Sequence, residues 1–71
     1  MQKIYYAITP SFSTITRYVN EGDYDRIYDL VEDITNNPLL AAAASSWCEL
    51  ATVGELYEHD LFTILIIDDD E

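Results

Sequence analysis

The side chains that could carry out chemistry are one cysteine, one histidine and fourteen carboxylates, against only three Lys and Arg. A catalytic nucleophile needs a base within hydrogen-bonding reach and a third group that orients the base. His59 precedes the last apolar segment and is flanked by acids, which is typical of a solvated turn histidine. Cys48 lies among apolar residues, which favours a buried, unreactive thiol. We therefore expect no catalytic residue, and a protein that is not an enzyme.

Asp23-x-Asp25 has the spacing that opens a calcium-binding loop. An EF-hand also needs a ligand at the fifth loop position and glycine at the sixth, where this chain has Ile27 and Tyr28. The chain has only two glycines, too few for a glycine-rich phosphate loop. We expect no metal site and no cofactor.

The formal net charge is −11, which costs stability in any compact state through self-repulsion. Solubility of a small domain needs a net charge of only ~2 to 8, so the excess suggests a use. Such a chain is repelled by nucleic acid and by anionic membranes. The expected partner is a basic protein surface, and direct contact with nucleic acid or membrane is not expected.

A chain of 71 residues forms one small domain, and domains near this size bury only roughly 60% of their unfolded surface. We expect a single domain over residues 1–67 and an acidic tail over 68–71, with homodimerisation as a way to bury more surface. The lone cysteine excludes an internal disulfide, and the apolar runs are shorter than the ~20 residues of a membrane span. A cytoplasmic protein is expected.

Five segments, one at each end of the chain and three in the middle, predict the fold. Residues 3–8 and 61–67 are rich in β-branched and aromatic residues, which indicates two strands. Residues 11–20 predict a short helix that forms an αα-hairpin with the next helix, which begins after Gly22-Asp23 and ends by residue 35. A third helix is expected from 39 to 53, after an Asn37 cap and Pro38 at its first position, with Gly54 ending it.

These elements predict an α+β fold of order β-α-α-α-β, in which a two-stranded sheet packs on three helices. In an alternative arrangement, residues 47–53 are extended and pair with the last strand. A two-stranded sheet is marginal alone, so a second copy or a partner is expected to complete its edge. The sequence leaves open whether the strands are parallel.

The segment GDYDRIYDLVEDI is the strongest helix signal, because its apolar residues recur at helical spacing. At ~100° per residue from Tyr24, the apolar side spans about 240° to 40°. Four acids lie together at about 80° to 180°, and we call them the acidic stripe: Asp25, Asp29, Glu32 and Asp33. The helix is therefore amphipathic, with carboxylates on its polar side.

The acidic stripe carries four charges over about 12 Å of helix axis, or one per roughly 4 Å. Each strand of duplex DNA carries one charge per ~3.4 Å, so the stripe has the linear charge density of a nucleic-acid mimic. The alternative is a solvated acidic face. No Lys or Arg occupies an i,i+4 position beside these acids, and the like-charge pairs each cost a few tenths of a kcal/mol, which favours a binding role.

The short chain, the acidic segment GDYDRIYDLVEDI, the end IIDDDE and the six tyrosines together resemble a known class of protein. In type, and without an alignable motif, the chain resembles small acidic inhibitors of phages and mobile elements, including anti-CRISPR and anti-restriction proteins. The resemblance implies a DNA-mimic inhibitor that occupies a cationic nucleic-acid channel of a CRISPR effector or restriction-type nuclease. It also implies the cytoplasm of a host cell as the location, and it transfers no functional residue.

The hypothesis from sequence is an acidic inhibitor that binds a basic nucleic-acid-binding surface and blocks DNA binding. The acidic stripe would make the primary contacts, and Glu21, Asp23 and the acidic tail would add electrostatic steering. Tyr57 is a further candidate contact, since tyrosine is enriched at interfaces. The alternative is an antitoxin- or immunity-type interaction module that binds through apolar docking, with the charge serving solubility.

Overall fold

The computed structural model describes the backbone of residues 2–70 and the side chains of residues 3–68. Over that range the protein is an α+β domain with two helices and one four-stranded antiparallel sheet. The order along the chain is β1 (Gln2–Pro10), β2 (Arg17–Asn20), α1 (Tyr24–Thr35), α2 (Pro38–Leu50), β3 (Leu56–Glu58) and β4 (Phe62–Asp70). In the sheet the strands lie in the order β2-β1-β4-β3.

The predicted helix over residues 11–20 was wrong, because this segment is a turn followed by β2. Val19 pairs with Tyr6 of β1 and is buried, whereas Phe12 is 94% exposed. The spacing of the apolar residues therefore did not mark a core-facing side of a helix. The β-branched residues of the segment favour the extended backbone, and the hydrogen bonds offered by β1 decide the outcome.

The predicted two-stranded sheet was also wrong, since β2 and β3 flank the central pair of β1 and β4. Trp47 lies in α2, and the extended segment that pairs with β4 is β3, not residues 47–53. Helix α2 ends at Leu50 rather than Val53, and Gly54 occupies the following turn with φ of +93°. A three-residue strand is too short to leave a periodic pattern in the sequence.

The helix predicted after Asp23 is confirmed as α1, and Ile27 and Val31 on its apolar side are fully buried. Asp23 occupies the N-cap position, but its side chain makes no capping hydrogen bond. At the other end Asn36 adopts a left-handed conformation, and its N–H donates to the carbonyl of Glu32. Asparagine tolerates this conformation better than most residues, so it ends the helix.

The predicted cap of the next helix is confirmed, because Asn37 Oδ1 accepts hydrogen bonds from the N–H groups of Leu39 and Leu40 at 3.1 and 3.2 Å. Pro38 follows at the first helical position, where a missing N–H costs nothing. The side of α2 that faces the core consists of Ala41, Ala44 and Cys48. These small residues allow the helix to approach its neighbours closely.

Both helices cover one face of the sheet, and alternation along the strands separates core residues from the opposite face. The core face of the sheet is contributed by β1, β2 and β4: Tyr6, Ile8, Val19, Phe62, Ile64 and Ile66. We call the opposite side the outer face, and the register places Tyr5, Ala7, Tyr18, Leu56, Leu65 and Ile67 on it. No described helix lies on the outer face.

Replacing Phe62 by Ala is expected to lower the free energy of unfolding by about 3 to 5 kcal/mol, because it leaves a cavity in a closed core. Chains of this size have about 4 to 11 kcal/mol in total, so the variant should be largely unfolded in mild denaturant. Phe12→Ala makes the same chemical change at a solvated site and should move stability by less than ~0.5 kcal/mol. Urea unfolding of both variants tests the assignment of Phe62 to the core and Phe12 to the surface. Equal losses in the free energy of unfolding would contradict it.

Candidate functional site

The acidic stripe lies on the solvent side of α1, and three of its four members are exposed: Asp25, Asp29 and Asp33. Among the described residues, none of these three carboxylates forms an ion pair or a hydrogen bond. Burial of Ile27 and Val31 fixes the rotation of the helix, so the three charges are held in one direction. The structure therefore presents a row of unpaired charges on a rigid element.

Glu32 differs from the other members of the stripe, because it is half-buried and accepts a hydrogen bond from the Tyr28 hydroxyl at 3.3 Å. Partial desolvation and the neighbouring Glu32 carboxylate together raise the pKa of Tyr28. The bond holds Glu32 against the helix and uses part of its hydrogen-bonding capacity. Glu32 is therefore less free to contact a partner than the three exposed aspartates.

Glu21 and Asp23 lie in the turn that leads from β2 into α1, and both are exposed. Two backbone hydrogen bonds hold this turn: Glu21 N–H donates to the Ile4 carbonyl at 3.0 Å, and Asp23 N–H donates to the Asn20 carbonyl at 3.2 Å. Gly22 between them has φ of +92°, a conformation that glycine adopts without strain. The fold thus extends the acidic stripe at the N-terminal end of α1.

Tyr57 points to the helix side of the sheet rather than to solvent. Its ring packs edge-on against Trp47, with centroids 5.2 Å apart, and stacks on Phe62 at 5.7 Å. The residue is only half-buried, so its rim remains accessible. Tyr18, which shares the outer face with Tyr5, was missed as a candidate because a helix was expected where β2 lies.

Cys48 is buried as the sequence predicted, whereas His59 is half-buried rather than solvated. Cys48 is fully buried, and desolvation raises the pKa of its thiol to about 12. His59 follows β3, stacks on Phe62 at 5.1 Å, and its Nδ1 accepts a hydrogen bond from the Leu61 N–H at 3.1 Å. Cys48 lies in α2 and His59 in the segment after β3, and no hydrogen bond joins them.

In the part of the chain that the structure describes, no group of three or more His, Cys, Asp or Glu residues is placed to hold a metal ion. Within that same part, neither helix has the length and apolar character needed to cross a bilayer. No family model, curated protein or solved structure matches the chain.

Replacing Asp29 by Asn is expected to raise the melting temperature, because Asp29 has like charges four residues away on both sides. Removing two such pairs restores roughly 0.4 to 1 kcal/mol, or about 2 to 6 °C for a domain of this size. Asp60→Asn removes one exposed charge outside the helices and should shift the melting temperature less. Calorimetry at low and high salt tests this, since screening should abolish the difference between the variants. A difference in melting temperature that persists at high salt would contradict an electrostatic origin of the stabilisation.

The raised pKa of Cys48 predicts a dependence of stability on pH. Because the folded state keeps the thiol neutral, its contribution is complete below pH 9 and is lost as pH rises towards 12. Cys48→Ala should be less stable than the natural chain at pH 7, and the gap should narrow above pH 9. Urea unfolding from pH 7 to 11 measures the difference in free energy of unfolding between the two proteins. A difference that grows with pH would show that burial does not suppress ionisation of the thiol.

Proposed function

We propose that this protein is an acidic inhibitor that binds a basic, nucleic-acid-binding surface of a CRISPR effector or restriction-type nuclease and blocks DNA binding. It acts by binding and not by catalysis. The observation that carries the proposal is the row of exposed, unpaired carboxylates at Asp25, Asp29 and Asp33 on a helix fixed by its buried side. The resemblance in type to small phage inhibitors supports the same conclusion.

A surface that grips phosphates uses Lys and Arg side chains, which make charge-assisted hydrogen bonds to carboxylates as readily as to phosphates. The aspartates of the stripe recur every four residues, so successive charges advance about 6 Å along one side of α1. Glu21 and Asp23 add charge at one end and Glu32 adds charge between turns. Together these carboxylates form a series of anions that a basic channel could bind. Their spacings are comparable to those of the phosphates in a nucleic-acid backbone.

Rigidity makes this surface effective, because charges that are already oriented lose little conformational entropy on binding. Ser45 Oγ of α2 donates to the Tyr24 carbonyl at 3.2 Å, which ties the start of α1 to its neighbour. The buried residues of α1 hold its remaining length against the sheet. Association would be steered by the net charge of −11 and would weaken as salt is added.

The test compares three immobilised baits: the natural chain, a stripe variant with Asp25, Asp29 and Asp33 changed to Asn, and a control variant with Glu49→Gln, Glu58→Gln and Asp60→Asn. Both variants neutralise three exposed carboxylates and carry −8 instead of −11. Lysate of the native host is passed over each bait at low and moderate salt. The natural chain and the control should retain a nucleic-acid-binding enzyme that the stripe variant does not retain.

The captured enzyme is then purified, and its binding to a DNA duplex is measured with each variant added. We expect the natural chain and the control to displace DNA, with at least a tenfold higher concentration needed for the stripe variant, since three charge contacts at ~0.5 to 1 kcal/mol each are lost. Equal inhibition by all three proteins would contradict the proposal. Capture that survives high salt and the stripe changes would instead favour a module that docks through apolar surface.

A further inference from the structure

A pocket opens at the end of the core where α2 stops. Its floor consists of Tyr6 and Ile66 of the sheet, which are each 2% exposed, with the half-buried Ile4 beside them. Residues 51–53, which follow α2, form one wall, and Glu21 in the turn before α1 lies at the rim. The cavity volume is about 360 Å³, at the low end for a ligand site. The pocket therefore suits a single side chain rather than a cofactor.

Backbone hydrogen bonds fix the segments that surround this pocket. Gly54 N–H donates to the Ile66 carbonyl at 2.9 Å, and Ile66 N–H donates to the Glu55 carbonyl at 3.2 Å, which ties the loop after α2 to β4. Glu21 N–H donates to the Ile4 carbonyl at 3.0 Å, which ties the rim to β1. An occupant would enter a preformed cavity, so little conformational entropy would be lost in shaping it.

The pocket has a negative electrostatic potential from two sources. The Tyr6 hydroxyl donates to the Cys48 carbonyl at 3.3 Å, so the last turn of α2 reaches the floor. The carboxyl end of a helix carries partial negative charge, and no basic residue lies in the last turn of α2 to offset it. The second source is the Glu21 carboxylate. Burial is the main cause that raises the pKa of Tyr6, and the charge of Glu21 is a further one, which places this carboxylate near the floor.

The Glu21 carboxylate is available to a cation from outside the chain. Among residues 3–68 it forms no hydrogen bond and no ion pair. Lys3 lines an adjoining depression together with Glu21, but no ion pair joins the two side chains. An unpaired carboxylate at the rim of a mainly apolar pocket is complementary to a side chain that has an aliphatic stem and a cationic head.

We propose that this pocket binds an arginine side chain of the basic partner surface. The apolar floor would cover the aliphatic stem, and the guanidinium would reach Glu21 and the carboxyl end of α2. A guanidinium suits the pocket better than an ammonium, because it is more weakly hydrated and its five donors can serve a carboxylate and a carbonyl together. Arginine is also enriched at interfaces, where lysine is depleted. The inference rests on the proposed function for the source of the arginine, and not for the pocket itself.

An NMR titration of the isotope-labelled chain with N-acetyl-arginine amide tests the pocket without a partner. At ~150 mM salt, which screens nonspecific attraction to the acidic surface, backbone resonances of residues 51–53 and Ile66 should shift. We expect a dissociation constant of about 1 to 10 mM, because the probe supplies one side chain of a whole interface. N-acetyl-citrulline amide has the same stem and an uncharged head, and it should bind at least ~5-fold more weakly. N-acetyl-lysine amide should also bind more weakly than the arginine probe.

Two matched variants test the role of Glu21. Glu21→Gln keeps the side-chain length and the backbone hydrogen bond, and it should weaken the arginine probe about two- to fivefold, the usual effect of one exposed charge pair. Glu58→Gln removes an exposed charge at the end of β3 away from the pocket and should leave the affinity unchanged. The dispersion of the resonances shows that each variant is folded. Equal affinity for the arginine and citrulline probes would overturn the proposal, as would a lysine probe that binds as tightly, or equal losses in both variants.

The same variants, used as baits in the lysate experiment, separate this inference from the proposed function. Weaker capture by Glu21→Gln than by Glu58→Gln would support an arginine contact in the pocket. Capture that is lost with the stripe variant but undiminished with Glu21→Gln would overturn the arginine pocket and leave the inhibitor proposal intact. Binding of the arginine probe without capture of any nucleic-acid-binding enzyme would support the pocket and overturn the inhibitor proposal.

Discussion

The pairing of β1 with β4 is the constraint on which the rest of the structure depends. The two strands lie at opposite ends of the chain and pair over nine residues, from Gln2 with Asp70 to Pro10 with Phe62. Every other element attaches to this pair: β2 and β3 extend it on either side, and both helices pack on its core face. The Tyr6 hydroxyl of β1 reaches across the core and donates to the Cys48 carbonyl of α2 at 3.3 Å. Ile27 and Val31 of α1 belong to the same buried core, so the helix that carries the acidic stripe is also held against this pair of strands.

Some elements of the fold are determined by local sequence patterns, and these elements were predictable. Helix α1 follows from its 3.6-residue periodicity, and the start of α2 follows from the chemistry of Asn37-Pro38. The two strands at the ends of the chain were predictable from their β-branched residues. Their antiparallel pairing was not, and it is seen only in the structure. Of the candidate site, the position of Asp25, Asp29 and Asp33 on one side of α1 was predictable because a helix converts spacing into direction.

The remaining features depend on contacts that are distant in sequence. Residues 11–20 carry apolar side chains at spacings that suit either a helix or a strand, and only hydrogen bonding to β1 selects the strand. Strand β3 is three residues long and exists because β4 offers it an edge. The orientation of Tyr57 towards Trp47, and the appearance of Tyr5 and Tyr18 on one open surface, follow from these pairings. No local signal could have placed them.

The helix layer and the sheet differ in the kind of interaction that their exposed surfaces can form. The helix layer carries the acidic stripe, whose interactions weaken with salt, whereas the outer face is apolar and its interactions do not. Because the surfaces lie on opposite sides of one sheet, occupation of one does not block the other. Charge and apolar surface are thus segregated onto opposite sides of a chain of 71 residues, which gives it two surfaces of different chemistry.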